Sequence, residues 1–471
     1  MEETSESSGF KVLMFPWLAH GHISPFMELS KLLFTKKNCH IYFCSTKINL
    51  NFVKENFGET LSNHHSIELV ELHLPDSPAL PPQYQTTKNL PPHLMSKLMI
   101  AFQMAKSSFS IILNHLSPDL LIFDSFQSWA SLLAAEKNIP AVHFATSGAA
   151  TASFFYHMYA HNCSDEYPFS SIFLMDYEAR KFQALVDSNK AVAEDYAFRS
   201  FDLSSEIVLI KTCRELEKKY LDHLSYLCGK ELVCVGPLVQ ESNSQEEDNH
   251  TDIINFLNSK NQASVIYVSF GSEYFLSEEE REEIAHGLEL SNVNFIWVIR
   301  FPVGQKLTIE EAVPKGFLER VKSRGIVVDG WAPQGKILEH ENTGGFLSHC
   351  GWSSVMESLH FGVPVIAMPI HLDQPTNARL LDEIGVGMEV LRDENGKMNR
   401  GNVANAIKMV VLEKDGEEIR GKTREMSQKL RLKGAEEEVE AMEKIWNLCS
   451  KYKEARNGKE TEIEQQEQAS R

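Results

Sequence analysis

Short apolar runs alternate along almost the whole chain with segments of helical periodicity. The runs that read as strands are 12–15, 41–44, 67–70, 120–123, 141–144, 207–210 and 232–235 in the first half, and 265–270, 295–299, 326–328, 345–347, 365–368 and 387–390 in the second. This alternation is typical of parallel sheets covered by helices. The sequence therefore predicts an α/β protein with two doubly wound domains that face a central cleft.

A change of composition separates the two series of strands. Residues 240–252 are mostly Glu, Ser, Asn, Gln and His, which cannot fill a core, and we interpret them as a linker. The domains are then predicted at 1–239 and 253–440. A C-terminal helix is predicted at 441–453, packed back on the first domain, and a disordered polar tail at 454–471.

The acidic balance of the chain limits its partners. Its 65 Asp and Glu outnumber 46 Lys and Arg, and the net charge of −19 disfavours nucleic acid and anionic membranes. The first residues, MEETSESS, lack the basic region of a targeting peptide, and no apolar stretch favours a membrane span. The eight Cys form no CxxC pair, which indicates reduced thiols. We expect a cytoplasmic protein, and we expect it to be a monomer.

The most informative stretch covers residues 331–374, WAPQGKILEHENTGGFLSHCGWSSVMESLHFGVPVIAMPIHLDQ. Its polar residues fall where strands end and helices begin, which is where such sheets bind ligands. A helix that begins near Ser353 or Ser354 would offer free N–H groups and a positive dipole end to a phosphate. The side chains of His349 and Ser354 would add hydrogen-bond donors.

Two more residues of this stretch suit a nucleotide. Glu357 can accept hydrogen bonds from paired ribose hydroxyls, and Trp331 offers a flat face to a base. Taken singly, such residues more often have core, rim or capping roles. Taken together, the stretch resembles, nearly end to end, the nucleotide-sugar box of plant family 1 UDP-dependent glycosyltransferases. The resemblance extends over the chain apart from its two tails, and it implies a GT-B fold of two Rossmann-like domains, with the donor bound mainly by the second and the acceptor mainly by the first.

The resemblance also implies roles for individual residues. They would contact uracil (Trp331, Ala332, Gln334), ribose (Glu357), the diphosphate (His349, Ser354, Ser272) and the transferred sugar (Trp352, Asp373, Gln374, with Thr146 nearby). Ser353 stands where the family usually has Asn, which leaves one contact on the phosphate or sugar side open. Gln374 resembles glucose-using members of the family, so UDP-glucose is the expected co-substrate.

The first domain offers a candidate general base. His20 and His22 follow the first strand, before a helix with Pro25 in its opening turn, and Asp124 follows the strand 120–123. Both places are carboxyl ends of strands, on the side of the cleft. Sugar transfer to a hydroxyl needs a base, and a buried carboxylate behind an imidazole fixes its tautomer and stabilises the imidazolium. A lone His or Asp is more often structural. The resemblance, however, matches His22 to the family's catalytic histidine and Asp124 to its partner, with His20 as the weaker candidate.

The sequence contains no Asp-x-Asp, HExxH or paired Cys/His cluster that would announce a metal. We therefore expect no metal and no cofactor besides the UDP-sugar. The leaving diphosphate would then rely on the helix dipole, His349 and serine hydroxyls. The family implies a single inverting displacement, from an α-linked donor to a β-linked product.

The acceptor depends on loops of the first domain. The segments 15–25, 41–46, 71–75 and 90–95 resemble the sub-branch that adds a sugar to the sugar of a flavonoid or terpenoid glycoside. We predict this activity, and the alternatives are transfer to an aglycone, epimerisation of a UDP-sugar, or a non-catalytic UDP-sugar-binding protein. Six residues could wall an apolar acceptor pocket, although such sets are more often core: Phe126, Trp129, Phe154, Phe155, Tyr156 and Met158.

Overall fold

The computed structural model describes residues 9–58, 66–161, 166–189, 198–240, 251–302 and 304–469. Its strands form two parallel sheets. The first has the order β3-β2-β1-β4-β5-β6-β7 and contains β1 (Lys11–Phe15), β2 (His40–Ser45), β3 (Ile67–Glu71), β4 (Leu120–Phe123), β5 (Ala141–Ala145), β6 (Ile207–Ile210) and β7 (Glu231–Cys234). The second has the order β10-β9-β8-β11-β12-β13 and contains β8 (Val265–Ser269), β9 (Asn294–Ile299), β10 (Gly325–Asp329), β11 (Thr343–Ser348), β12 (Val365–Ala367) and β13 (Gly387–Glu389). The predicted α/β class with two doubly wound sheets is confirmed.

Helices cover both sheets because the central strands are apolar on both faces. In the first half they are α1 (His20–Lys37), α2 (Lys47–Phe57), α3 (Met95–Gln103), α4 (Lys106–Leu116), α5 (Ser128–Ala135), α6 (Ala149–Ala160), α7 (Asp176–Asn189), α8 (Arg199–Asp202) and α9 (Arg214–Cys228). In the second half they are α10 (Thr251–Asn258), α11 (Glu278–Ser291), α12 (Ile309–Ala312), α13 (Phe317–Val321), α14 (Gln334–Glu339), α15 (Trp352–His360), α16 (Gln374–Glu383), α17 (Arg400–Val411) and α18 (Glu417–Ala469). Short 3₁₀ turns occupy Pro82–Tyr84, Pro92–Leu94 and Lys414–Gly416.

The last helix differs from the prediction at both of its ends. It begins at Glu417 rather than near 441, and its backbone stays helical to Ala469, through the segment predicted to be disordered. Glu, Lys, Gln and Ala are good helix formers, and extending an existing helix avoids the cost of nucleation. The segment 241–250, which forms most of the predicted linker, lies outside the described residues.

α18 contacts both sheet domains. Thr423 donates a hydrogen bond to the carbonyl of Val386, at the edge of the second sheet. Further along, Met442 and Ile445 are buried in the core that β1, β2 and α1 form.

No helix among the described residues has the length and apolar character needed to cross a membrane.

The carboxyl edges of the two sheets face each other. The hydroxyl of Thr87, in the first half, donates to a carboxylate oxygen of Glu273 in the loop after β8, at 2.6 Å. The indole N–H of Trp352 donates to the carbonyl oxygen of Lys211, directly after β6, at 2.6 Å. The cleft between the sheets is therefore lined by loops that follow strands of both domains.

Candidate active site

His22 and Asp124 meet at the cleft edge of the first sheet. α1 begins at His20, so Pro25 lies inside the helix and not in its opening turn as predicted. His22 therefore lies in the first turn of α1, and Asp124 directly follows β4. Because β1 and β4 are neighbours, the two residues are close: His22 Nδ1 lies 2.8 Å from Asp124 Oδ2. The hydroxyl of Thr146, after β5, lies 3.0 Å from the same ring nitrogen. This arrangement leaves Nε2 of His22 available as a proton acceptor.

The carboxylate of Asp124 is held in one orientation. It is fully buried, and it accepts hydrogen bonds from the backbone N–H groups of Trp17 (3.0 Å) and Ser125 (2.6 Å) as well as bonding His22. Burial alone would raise the pKa of Asp124, but His22 and the two N–H groups lower the pKa below its ordinary value. Asp124 is therefore ionised beside the imidazole at neutral pH.

The charges around His22 favour its protonated form. Burial disfavours imidazolium, but Asp124 outweighs burial and raises the pKa of His22 above its ordinary value, with Glu273 and Asp373 acting in the same direction. Glu273 and Asp373 belong to the second domain, so both sheets contribute to this field. These carboxylates therefore stabilise the imidazolium that forms when His22 accepts a proton.

The rival candidate, His20, has different surroundings. Its ring stacks on Phe52 with centroids 3.9 Å apart. Burial, with the nearby cations Lys88 and Arg300, lowers the pKa of His20 to about 3. No carboxylate among the described residues is within ion-pair distance of His20, so it lacks the orienting group that His22 has.

Phe126 is the member of the predicted acceptor wall that lies beside the dyad, its ring centroid 5.5 Å from that of His22. The other five pack mainly into the core, as the more usual interpretation held: Trp129, Phe154, Phe155 and Tyr156 are buried, and Met158 packs against the same core as the last three.

In the second domain, His349 directly follows β11 and is cradled by two glycines. A Cβ atom built on Gly271 would lie 2.6 Å from its Nε2, and one built on Gly351 would lie 2.7 Å from it. Gly271 also has φ +75°, a conformation that favours glycine. Burial, with His371 and Arg300, lowers the pKa of His349 to about 3, so the ring is neutral. Ser272, half-buried, follows Gly271 in the same loop.

A polar cluster lies on the first turns of α15. The side-chain amide of Gln334 donates to Ser354 Oγ (3.2 Å) and to Glu357 Oε2 (2.7 Å). Burial raises the pKa of Glu357, an effect that Gln334 and Lys211 partly oppose. Close by in the chain, Trp331 keeps 46% of its surface exposed, whereas Ala332 is buried. The structure thus brings together the residues that the resemblance assigned to uracil and ribose.

Asp373 and Gln374 lie at the start of α16. Gln374 is buried, and its Oε1 accepts from the backbone N–H groups of Ile370 (3.0 Å) and His371 (3.1 Å). Asp373 Oδ2 accepts from Asn377 Nδ2 at 2.9 Å, and burial raises the pKa of Asp373. The Asp373 carboxylate is one of the groups that raise the pKa of His22.

The side chain of Trp352 is not at the cleft surface. It is 3% exposed, and its ring packs so closely against Gly148 of the first domain that a Cβ there would lie 2.9 Å away. A sugar contact at Trp352 could therefore come only from its backbone. The next residue, Ser353, accepts a hydrogen bond from Lys211 Nζ at 3.0 Å.

Sequence reasoning overlooked Lys211, Glu273 and Asn377. Lys211 is the first polar residue after a buried strand, the same signal that identified Asp124. The other two are known only through their contacts in three dimensions. Within the described part of the chain, no group of three or more His, Cys, Asp or Glu is arranged to hold a metal ion.

Two parallel-sheet domains face each other across a cleft, with a helix N-terminus on one side and a carboxylate-backed histidine on the other, and this architecture is the GT-B fold. Family models agree: "Glycosyltransferase, N-terminal domain" matches residues 8–240 and "UDP-glucoronosyl and UDP-glucosyl transferase" matches residues 206–419. The chain belongs to this family of UDP-glycosyltransferases. It is an enzyme that uses a UDP-sugar as its donor.

Curated relatives match over nearly their whole length. A mogroside IIIx synthase of Siraitia grosvenorii is 52% identical, over 90% of this chain and 94% of the relative. A beta-D-glucosyl crocetin beta-1,6-glucosyltransferase of Gardenia jasminoides is 49% identical, over 94% and 100%. A flavanone 7-O-glucoside 2''-O-beta-L-rhamnosyltransferase of Citrus maxima is 45% identical, over 95% and 99%.

Solved structures share the fold. A Glycyrrhiza uralensis UGT complexed with glycyrrhetinic acid 3-O-monoglucuronide has a TM-score of 0.80 at 22% identity, covering 97% of this chain and 100% of that one. A Phytolacca americana UGT complexed with UDP-2fluoro-glucose and pterostilbene has a TM-score of 0.74 at 26% identity, covering 93% and 99%.

Proposed function

We propose that this enzyme moves glucose from UDP-glucose to a hydroxyl of a sugar already attached to a plant flavonoid or terpenoid glycoside. The names of two relatives support a glycoside acceptor, because glucosyl crocetin and a flavanone 7-O-glucoside each carry a sugar before the reaction. Glucose as the donor is supported by Gln374 and by the Gardenia relative, whereas the Citrus relative transfers rhamnose.

The observation that carries the proposed transfer of a sugar to a hydroxyl is the His22–Asp124 pair at the cleft. With Nδ1–H of His22 donated to Asp124, Nε2 takes the proton of the acceptor hydroxyl as its oxygen bonds to C1 of the sugar. The bond from C1 to the β-phosphate oxygen breaks, and UDP leaves with the electron pair. Attack from the face opposite UDP inverts the configuration, so an α-linked donor yields a β-linked product.

The second domain would hold the donor along the first turns of α15. In this proposal Trp331 stacks on uracil and Glu357 accepts from the ribose hydroxyls. The free N–H groups at the start of α15, with His349 and Ser354, receive the diphosphate. The neutral state of His349 suits this role, because a neutral imidazole can donate one hydrogen bond to a phosphate oxygen.

The remaining assigned residues complete the donor site. The carboxylate of Asp373 would accept hydrogen bonds from hydroxyls of the sugar. The Oε1 atom of Gln374 is already engaged by two backbone N–H groups, which leaves its amide Nε2 as the group for the sugar. Thr146, 3.0 Å from His22 Nδ1, would border the sugar from the side of the first domain.

The test offers UDP-glucose with matched pairs of aglycones and their monoglucosides, with EDTA present throughout, and measures UDP release and product mass. We expect hexose addition to the monoglucosides, not to the aglycones, undiminished by EDTA. Products from aglycones alone would refute the acceptor assignment, and interconversion of UDP-sugars without acceptor would indicate an epimerase.

His22→Ala should abolish transfer while UDP still binds. A variant with near-wild-type turnover would remove His22 from the role of base, and UDP binding without any transfer by the wild type would indicate a non-catalytic binding protein.

A further inference from the structure

Lys211 is a buried lysine at the cleft. It directly follows β6 and is 2% exposed. Its backbone carbonyl accepts from the indole N–H of Trp352, and its Nζ donates to Ser353 Oγ at 3.0 Å. Both partners lie in the first turn of α15. Lys211, a residue of the first domain, is therefore hydrogen-bonded to the N-terminus of α15, the helix end proposed to bind the diphosphate.

The ammonium group has less than its full set of partners. It carries three N–H donors, and Ser353 Oγ is the acceptor found among the described residues. No carboxylate of the described residues lies within 4.0 Å of Nζ. A buried charge without a counter-ion is costly, and here the cation also lies against the positive end of a helix dipole. An anion bound beside Nζ would lower this cost.

The surroundings keep the lysine charged. Burial lowers the pKa of Lys211 to about 8, and the carboxylates that oppose this are Glu357 on α15 and Glu28 on α1. The amine is therefore mostly protonated at neutral pH. Ser353 Oγ, the acceptor of the ammonium, also lies 3.5 Å from the carbonyl oxygen of Gly21, the residue before His22, so Ser353 connects the lysine to the turn that holds His22.

We propose that Lys211 is a ligand of the donor diphosphate, reaching from the first domain to the phosphate-binding N-terminus of α15. Its ammonium donates to a phosphate oxygen and offsets the charge that UDP gains as the bond to C1 breaks, a task that a metal ion performs in other enzymes. Because the lysine and α15 belong to different domains, the diphosphate would also hold the domains together. The proposal rests on the UDP-sugar as donor.

The test compares two probes, UDP and uridine, by isothermal titration calorimetry at pH 7. Lys211→Met should weaken UDP binding by about tenfold to a hundredfold, as for a lost charged hydrogen bond, while uridine binding stays within about twofold. Lys211→Arg should retain most of the affinity for UDP. The control is Lys218→Met, an exposed lysine of α9 that pairs with Asp222, and it should bind both probes as the wild type does.

Each other outcome has a defined meaning. Equal UDP affinity in Lys211→Met and the wild type would overturn the proposal, and so would parallel losses of UDP and uridine, which a purely structural role predicts. A wild type that binds no UDP would instead overturn the donor site as a whole. A test without variants is the wild-type pH dependence: from pH 7 to 9 UDP affinity should fall by about tenfold as the lysine loses its proton, while uridine affinity should fall by less than about twofold, because only its own N3–H begins to ionise. A flat UDP profile would contradict the proposal even if Lys211→Met failed to fold.

Discussion

Replacing Asp124 with Asn tests the catalytic dyad most directly, because it removes one charge and keeps the size of the side chain. The imidazole of His22 is neutral when the acceptor binds and becomes imidazolium as it takes the proton. The carboxylate, 2.8 Å from Nδ1, therefore stabilises the transition state more than the ground state. Asp124→Asn should reduce kcat and leave the KM for the UDP-sugar almost unchanged.

The size of the effect follows from the geometry. Two unit charges whose centres are about 4 Å apart interact by about 4 kcal/mol at an effective dielectric constant of about 20. Each 1.36 kcal/mol is a factor of ten in rate, so kcat should fall by about 10³. The amide also keeps only one acceptor oxygen for the N–H groups of Trp17 and Ser125. Leaving one of these unpaired costs about 1–3 kcal/mol of folding stability.

The assay is steady-state product formation with the best donor and acceptor pair from the paired-acceptor screen, together with thermal unfolding. The control is Asp119→Asn, at the opposite end of the same strand. Asp119 is also buried, accepts from Lys11 N–H at 3.0 Å and pairs with Arg456 at 2.6 Å. Asp119→Asn should lose stability and keep its kcat. If Asp124→Asn retains kcat within tenfold of the wild type, the dyad argument is wrong.

Three further predictions concern the same site. Because the pKa of His22 is raised and only its neutral form is a base, kcat/KM should fall as pH drops through a value above 6.5, and in Asp124→Asn this acidic limb should move to lower pH; an unmoved limb would assign it to another group. Glu357→Ala should weaken UDP binding by about 1–3 kcal/mol in calorimetry, and unchanged affinity would exclude the ribose contact. Gly271→Ala should raise the KM for the UDP-sugar, because the added Cβ would lie 2.6 Å from His349 Nε2 at φ +75°. Gly421→Ala, in a helix where a Cβ meets nothing within 4 Å, should behave as the wild type, and equal kinetics in the two alanine variants would refute the cradle.

The predictable parts of the fold were those that follow from local pattern. Apolar runs bounded by polar residues identified the strands of both sheets, because a strand buried on both faces must be apolar throughout. Local pattern was less reliable for the C-terminal tail. Its polar composition suggested disorder, yet the backbone is helical to Ala469 as a continuation of α18. Composition records whether a segment can fill a core, but not whether a helix already formed will extend through it.

The sequence by itself determined the two-sheet architecture and the residues that follow its strands, because strand ends in a parallel sheet collect at one edge whatever the loops do. It could not determine which of these residues meet across the cleft. The contact of Lys211 with Ser353 joins residues 142 positions apart, and that of Thr87 with Glu273 joins residues 186 apart. Burial of Trp352 against Gly148 likewise depends on how the domains pack. Such contacts arise from the packing of one domain against the other, which local pattern in the chain does not encode.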